Sequence, residues 1–327
     1  MKRDLNNNEY TILVSGASGI VGYGILRSLK ERGDCLLIGT TIYSESPANC
    51  FADVVELVPR TDDSSYLEEL MKIIKGHDVD MIIPGIESDI EFWNEHRRDI
   101  ESTGAFILLN NPKLIRLCRD KWLFFEELVK YGYEGCINSS ITPNFTTFKL
   151  PFILKPRCGF GSKGFVVVEN ETQFIGYKSS IGPELMMQEL VGKDDEEYTV
   201  SAFFDSESNL KAMMGMKRKL SSSGFTEMGE VVDVNHFSED IRQLVDIFHP
   251  VGPTNFQFRK HDGKWKLLEI NPRISSSTSI RSRFGYNESS MAVDCFLAGK
   301  DIEKTEIKSG KAIRYIEDYI IYDSTDI

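Results

Sequence analysis

Asn255-Phe256-Gln257-Phe258 and, past a short turn, Leu267-Leu268-Glu269-Ile270-Asn271-Pro272-Arg273 form the stretch whose reading decides the fold. A β-strand sends every second side chain to one face, so Glu269, Asn271 and Arg273 point the same way as the strand runs out into a loop. His261-Asp262-Gly263-Lys264 reads as the turn of a hairpin that brings Gln257 alongside them. One patch then carries a carboxylate, two amide oxygens and a guanidinium. Hard oxygen donors with few carboxylates suit a Mg²⁺ ion that substrate phosphates also hold. A neighbouring arginine suits phosphate. Taken alone, the pattern fits an ordinary hairpin with a solvated polar face equally well, so its meaning depends on the remainder of the chain.

The chain has 327 residues, of which 41% are hydrophobic and 27% charged, and its formal net charge is −12. That length exceeds one compact core and suggests two or three domains of a soluble protein. The acidic balance makes nucleic acid a poor partner. Met1-Lys2-Arg3-Asp4 leads into Asn6-Asn7-Asn8 without an apolar run, and no stretch approaches membrane-spanning length. The six cysteines are scattered without a Cys-x-x-Cys pair, and the five histidines are equally dispersed. Free thiols in a reducing cytoplasm are the expectation.

The first ~110 residues alternate strand and helix patterns, which implies a parallel sheet. Strands are expected at Thr11–Ser15, Leu36–Gly39, Val79–Pro84 and Ala105–Leu108, with helices after Gly22 and from Tyr66. Residues 112–131 read as two helices meeting at Arg119-Asp120-Lys121. From Phe152 the texture becomes antiparallel: strand, glycine-rich turn, strand, a short helix near Glu171, then extended runs at 185–190, 198–204 and 210–219. A helix over 239–248 precedes the opening hairpin, and Met291 to Leu297 fits a closing helix.

Two glycine motifs need weighing. Gly16-x-x-Gly19-x-x-Gly22 follows a strand and opens a helix, as phosphate-type turns do. It resembles the cofactor turn of extended short-chain dehydrogenases and nucleotide-sugar epimerases. That family's Tyr-x-x-x-Lys pair is absent from the sequence, and no acidic residue ends the second strand. An NAD(P)-dependent epimerase or reductase is therefore the lesser alternative beside a fold-forming turn. In the second motif Lys155 lies on a strand just before Cys158-Gly159-Phe160-Gly161-Ser162-Lys163-Gly164. The lysine precedes the glycines, so this is not a P-loop. A flexible glycine hairpin can cover a polyphosphate with backbone N–H groups while the strand lysine meets the charge from below.

With these motifs in this order, the chain resembles an ATP-grasp enzyme of the carbamoyl-phosphate-synthetase large-chain-like branch of carboxylate–amine ligases. The resemblance implies mixed α/β and α+β architecture: a pre-ATP-grasp parallel-sheet domain over 1–110, then a two-subdomain ATP-grasp fold. That fold would comprise a lid subdomain over 111–188 and a second subdomain over 189–300, with a C-terminal extension over 301–327. It also implies site roles. Lys121 and Lys155 would contact nucleotide phosphates, beneath a mobile loop of Gly159, Gly161, Ser162 and Gly164. Glu189 and Val191 would meet the adenine through main-chain groups, and Glu197 the ribose hydroxyls. Gln257, Glu269 and Asn271 match the metal positions, for Mg²⁺ or Mn²⁺, and Arg273 faces the transferred phosphate. Gln257 stands where many relatives carry a carboxylate.

Other positions stay open between function and ordinary surface. Lys217 and Arg218 end a strand and suit the γ-phosphate or the acceptor. Ser275 to Ser279 suit the acceptor pocket. Glu87 and Asp89, at the carboxyl end of a first-domain strand, suit the second substrate. Arg281 and Arg283 suit an anionic substrate, though an exposed basic turn is the plainer reading. The implied activity is ATP-dependent activation of a small-molecule carboxylate as an acylphosphate, attacked by an amine or another nucleophile. Arg273, Arg218 and Lys155 would be the catalytic cations. A non-catalytic nucleotide-binding module is the other alternative.

Overall fold

The structure, a computed structural model, describes residues 9–159, 164–193, 196–221, 224–304 and 306–321. Its first unit runs β1 (Tyr10–Val14), α1 (Ile20–Lys30), β2 (Cys35–Thr41), β3 (Val54–Leu57), α2 (Tyr66–Gly76), β4 (Met81–Ile83), α3 (Glu87–Glu95), α4 (Arg97–Glu101) and β5 (Phe106–Ile107). The strands form a parallel sheet in the order β3-β2-β1-β4-β5. Strand order reverses at β1, and ligands of open α/β sheets sit beyond the carboxyl ends of strands at such a point. α5 (Pro112–Arg119) and α6 (Lys121–Lys130) follow, broken at Asp120, whose side chain caps α6 by accepting from the Trp122 and Leu123 N–H groups.

Where the resemblance expects a lid, an antiparallel sheet is ordered β6-β9-β7-β8, built from β6 (Ser139–Ser140), β7 (Phe152–Pro156), β8 (Val166–Val168) and β9 (Leu185–Glu189), with α7 (Glu171–Tyr177) between β8 and β9; it is called the lid below. Phe152, Leu154, Val168, Phe174 and Met187 bury one face of it. Phe160, Gly161, Ser162 and Lys163, which include two of the expected phosphate-loop residues, lie outside the described residues.

The second antiparallel sheet is ordered β14-β13-β10-β11-β12-β15. It comprises β10 (Glu197–Phe204), β11 (Leu210–Leu220), β12 (Thr226–Val232), β13 (Gly252–His261), β14 (Lys264–Asn271) and β15 (Lys311–Ile313), with α8 (Ser238–Phe248), α9 (Thr278–Arg281) and α10 (Glu288–Ala292). Side-chain alternation divides its apolar residues between two cores. Phe203, Met214 and Met216 pack with Ile12, Val14, Leu26 and Tyr286 against the first unit. Val200, Ala202, Phe204, Phe256 and Phe258 pack on the other side with α8, Phe124 and Leu128. The first core joins the parallel unit to this sheet. The hairpin turn has positive φ at Asp262 (48°) and Gly263 (77°), the combination a two-residue type I′ connection requires.

The residues after 300 have a structural role that composition does not reveal. β15 pairs with β12, and the Arg314 guanidinium donates to the Thr226 and Ser276 carbonyls at 3.0 and 2.8 Å. β3, β12 and β6 were also not apparent in the sequence. β3 is short, and β12 is interrupted by charges and by Gly229, features that weaken a strand pattern. The closing helix starts earlier than expected, at Glu288, and its last turn over Val293–Leu297 is a π-helix.

The first glycine motif is explained by packing. A Cβ on Gly22 would lie 2.3 Å from the Gly16 carbonyl oxygen, and one on Gly85 would lie 2.1 Å from the Ser15 oxygen. The strand–helix turn and the β4–α3 loop thus touch backbone to backbone, where only glycine fits. Gly22→Ala is expected to destabilise the chain by about 2–3 kcal/mol. Gly76→Ala, whose added carbon meets nothing within 4 Å, should change stability by less than about 1 kcal/mol. Urea midpoints of the two variants check this.

Candidate active site

The two antiparallel sheets face each other across a cleft with a cavity of about 470 Å³. Ile153, Lys155, Val167 and Gln188 of the lid line one side, and Glu197, Arg218, Gln257, Arg259 and Glu269 the other. A second cavity of about 300 Å³ continues from it toward the first unit, where Ile20, Val21, Glu87 and Glu91 close it. Lys121, Lys155, Gly159, Arg218, Gln257 and Glu269 line both. The two form one cleft, in the size range of small-molecule sites.

Register builds the floor. Glu197 is directly opposite Arg218 on β11 and Arg259 on β13, so a carboxylate sits between two guanidiniums in one cross-strand row. Arg218 donates to Glu197 Oε1 from Nε and Nη2 at 3.1 and 2.6 Å, and Arg259 Nη2 lies 3.4 Å from Oε2. The Arg218 and Glu197 side chains are 4% and 6% exposed. The next row brings Gln257 opposite Glu269. Arg218 Nη2 donates to Gln257 Oε1 at 2.5 Å, and Gln257 Nε2 donates to Glu269 Oε1 at 2.7 Å. Asn271 Nδ2 donates to the same Glu269 oxygen at 3.0 Å. A bulge beside Gln257 and Phe258 resets β14, and the consecutive residues Leu268 and Glu269 both line the cavity.

Glu269, Gln257 and Asn271 therefore converge as the hairpin reading expects. Their oxygens are hard donors, and turning either amide about its last torsion presents an oxygen beside the carboxylate. Among the described residues no group of three or more His, Cys, Asp and Glu could hold a metal. One carboxylate and two amide oxygens are the kind of set that a Mg²⁺ also held by phosphates would take.

From the lid side, Lys155 projects into the cleft. Burial pushes its ammonium down to about 8, Lys121 adds to the shift, and Glu269 opposes it. Lys121 Nζ donates to the Gly159 carbonyl at 2.8 Å, at the start of the glycine loop. Glu189 and Val191 are set back from the cavity. Glu189 is held by Asn138 through both its main-chain N–H and its carboxylate, and Val191 is buried, while Leu190, Gly192 and Lys193 line the wall.

Several open positions are now resolved. Lys217 and Arg218 face opposite sides of β11: Arg218 enters the cleft, and Lys217 lies over the Tyr198 ring at 6.0 Å. Ser275 and Ser276 line the cavity near the first unit, whereas Ser277 and Thr278 are buried. Glu87 and Glu91, one helical turn apart on α3, both line the cavity. Asp89 does not: two residues on, it turns inward, is buried, and accepts from Thr61 Oγ1 at 2.6 Å. The basic turn is also corrected. Arg281 is fully buried in an ion pair with Glu288, and only Arg283 is exposed, 2.8 Å from Glu31. A helix and a turn pack against the sheet there, so Arg281 needs a charged partner inside.

Sequence reasoning missed two supports. Arg157 pairs with the α6 cap Asp120 at 2.6 Å and donates to the Gly182 carbonyl at 2.8 Å, anchoring the base of the glycine loop. Arg259 completes the row around Glu197. The arginine directly after Lys155-Pro156 was the available signal for the first; nothing local distinguishes the second.

Residues 182–319 match the family described as ATP-grasp in the biosynthetic pathway with Ter operon, and residues 24–108 match that described as PylC-like, N-terminal domain. The chain is 23% identical over 287 residues to the carbamoyl phosphate synthase large chain of Methanosarcina barkeri, which covers 79% of this chain and 26% of that protein. It thus spans about a quarter of the length of the curated relative it matches. Its fold is similar to N5-carboxyaminoimidazole synthetase from Staphylococcus aureus complexed with ADP, with a TM-score of 0.73, 16% identity, and 92% and 80% of the two chains covered. It is similar, too, to the biotin carboxylase domain of Hydrogenobacter thermophilus 2-oxoglutarate carboxylase in complex with MgADP, ADP and bicarbonate, with a TM-score of 0.73, 15% identity, and 92% and 73% covered. Among the described residues no helix is long and apolar enough to cross a membrane.

The Lys155 ammonium should titrate with a midpoint near 8. Replacing Lys121 with Met removes a like charge and should raise that midpoint toward the ordinary lysine value. NMR observation of the Lys155 Nζ group checks both, and an unmoved or lowered midpoint in the variant contradicts the assigned cause.

Proposed function

We propose that this ATP-grasp chain is an ADP-forming ligase that activates a small-molecule carboxylate as an acylphosphate, which an amine or another nucleophile then attacks. The observation that carries the reading is the convergence of Arg218, Gln257, Glu269, Asn271 and Arg273 on one floor, opposite Lys155 of the lid. Phosphoryl transfer asks a protein chiefly for positioning and charge neutralisation, and this floor offers both.

ATP would lie between the sheets, with adenine against Leu190, Gly192 and Lys193 just beyond β9, and phosphates toward Lys121 and Lys155. Glu197 would be the ribose acceptor, and an incoming hydroxyl would share it with Arg218 and Arg259. Glu269, with the side-chain oxygens of Gln257 and Asn271, would hold Mg²⁺, or Mn²⁺ through the same donors. When bound, that ion supplies charge neutralisation at the phosphates. Arg218 and Arg273 would face the charge that develops on the transferring group. The substrate carboxylate is already nucleophilic, so the first step needs no general base. The glycine loop, with Gly159 and Gly164 at its described ends and Gly161 and Ser162 between them, would exclude water from the acylphosphate.

The test is phosphate and ADP release across a panel of small carboxylates and amines, alongside calorimetry with Mg-ATP. Glu269→Ala should lower ADP formation by more than about 100-fold, with an unchanged circular dichroism spectrum. Wild-type turnover in that variant removes the metal assignment. A well-folded protein that takes up no adenine nucleotide removes the reading altogether.

A further inference from the structure

Arg273 is engaged on every side. Its Nε donates to Glu87 Oε1 at 2.5 Å, and Nη2 makes a second, shorter contact with the same oxygen. Nη1 donates to the Ile274 carbonyl at 3.0 Å, and Nη2 also reaches Asn271 Oδ1 at 3.4 Å. Each guanidinium nitrogen thus has a protein acceptor. The Nε/Nη2 edge, the fork that meets an oxyanion with two N–H groups, is filled by Glu87, and a new anion can take that edge only by replacing its carboxylate. The Arg273 and Glu87 side chains are 17% and 25% exposed, so solvent and salt screen their attraction less than on open surface.

Glu87 comes from the other unit of the molecule, at the first position of α3, beyond the carboxyl end of β4. It faces the same cavity as Glu91 one turn later, yet their partners differ: Glu91 is 3.3 Å from Arg119, outside the Arg273 cluster. Two carboxylates of equal charge therefore line one wall, and one of them occupies the anion-binding arginine.

We propose that Glu87 is a specificity-determining residue that acts as an internal competitor: its carboxylate holds Arg273 until a small anion, carboxylate or phosphoryl, displaces it. This rests on the ligase reading above. A tethered carboxylate presents a high effective concentration to its partner. A simple monoanion is then a weak competitor, and an acid with further contacts in the cleft is selected. The Glu87–Arg273 pair also spans the two units, so its displacement loosens one tie between them as the acid enters.

The experiment uses the full chain saturated with MgADP, titrated by calorimetry with inorganic phosphate and, separately, with acetate. Glu87→Gln and Glu87→Ala are each expected to bind at least one probe about 10-fold more tightly than wild type, with unchanged MgADP affinity. Tightening confined to phosphate identifies a phosphoryl group as the rival, and tightening for acetate identifies a carboxylate. Glu91→Gln removes the same charge from the same wall and should leave both affinities within about 2-fold. Glu87 variants that bind neither probe more tightly overturn the proposal, as does an equal gain in Glu91→Gln. Failure of the wild-type chain to bind MgADP would instead remove the ligase reading on which it stands.

Discussion

A buried carboxylate between two guanidiniums organises this molecule. Glu197 is flanked across the sheet by Arg218 and Arg259, and Arg218 passes a hydrogen bond through Gln257 to Glu269. Removing one partner of a buried ion pair costs about 3–5 kcal/mol, because the other is left uncompensated. The row is consistent with a single register of β11, β10 and β13, and that register sets the positions of the groups on the cleft floor. One hydrogen-bonded chain runs from the wall assigned to the ribose to the residues assigned to the metal.

The lid is built on another principle. Apolar packing around Phe152 and Phe174 makes it a small separate body. Its polar link at the glycine loop runs through Asp120, which caps α6 and pairs with Arg157 while Lys121 holds the Gly159 carbonyl. A few charge-assisted bonds can be exchanged for bonds to a phosphate at little net cost, whereas a packed core cannot be rearranged so cheaply. A firm floor and exchangeable lid contacts suit the nucleotide site proposed above. Lys155 fits this division, since its partly desolvated ammonium gains by meeting an anion.

Much of the architecture was legible because its signals are local. Alternating β and α patterns mark the parallel unit, the Asp262-Gly263 pair marks the hairpin, and the period-two spacing of Glu269, Asn271 and Arg273 marks the face that lines the cleft. Where the reading fell short, the cause was a partner distant in sequence or the side to which a residue turns within a local element. β15 pairs with β12 across about 80 residues, and its composition resembles that of a loop. Asp89 and Glu87 look alike in sequence, but a helix turns two residues to opposite sides. Arg281 looks like surface until Glu288 and Ser275 are seen around it.

The amino-acid order alone determined most of the succession of elements, though not β3, β6, β12 and β15, and the identity of the chemical groups, because propensity, turn chemistry and side-chain alternation act over a few neighbouring residues. Only the tertiary structure decided which of those groups meet. The Glu197 row and the pairing of Glu87 with Arg273 join segments far apart in the chain, and the bulge that turns both Leu268 and Glu269 into the cleft is a matter of register within the hairpin. Such contacts depend on strand register and on how the units pack. Those are properties of the folded whole that no short stretch encodes by itself.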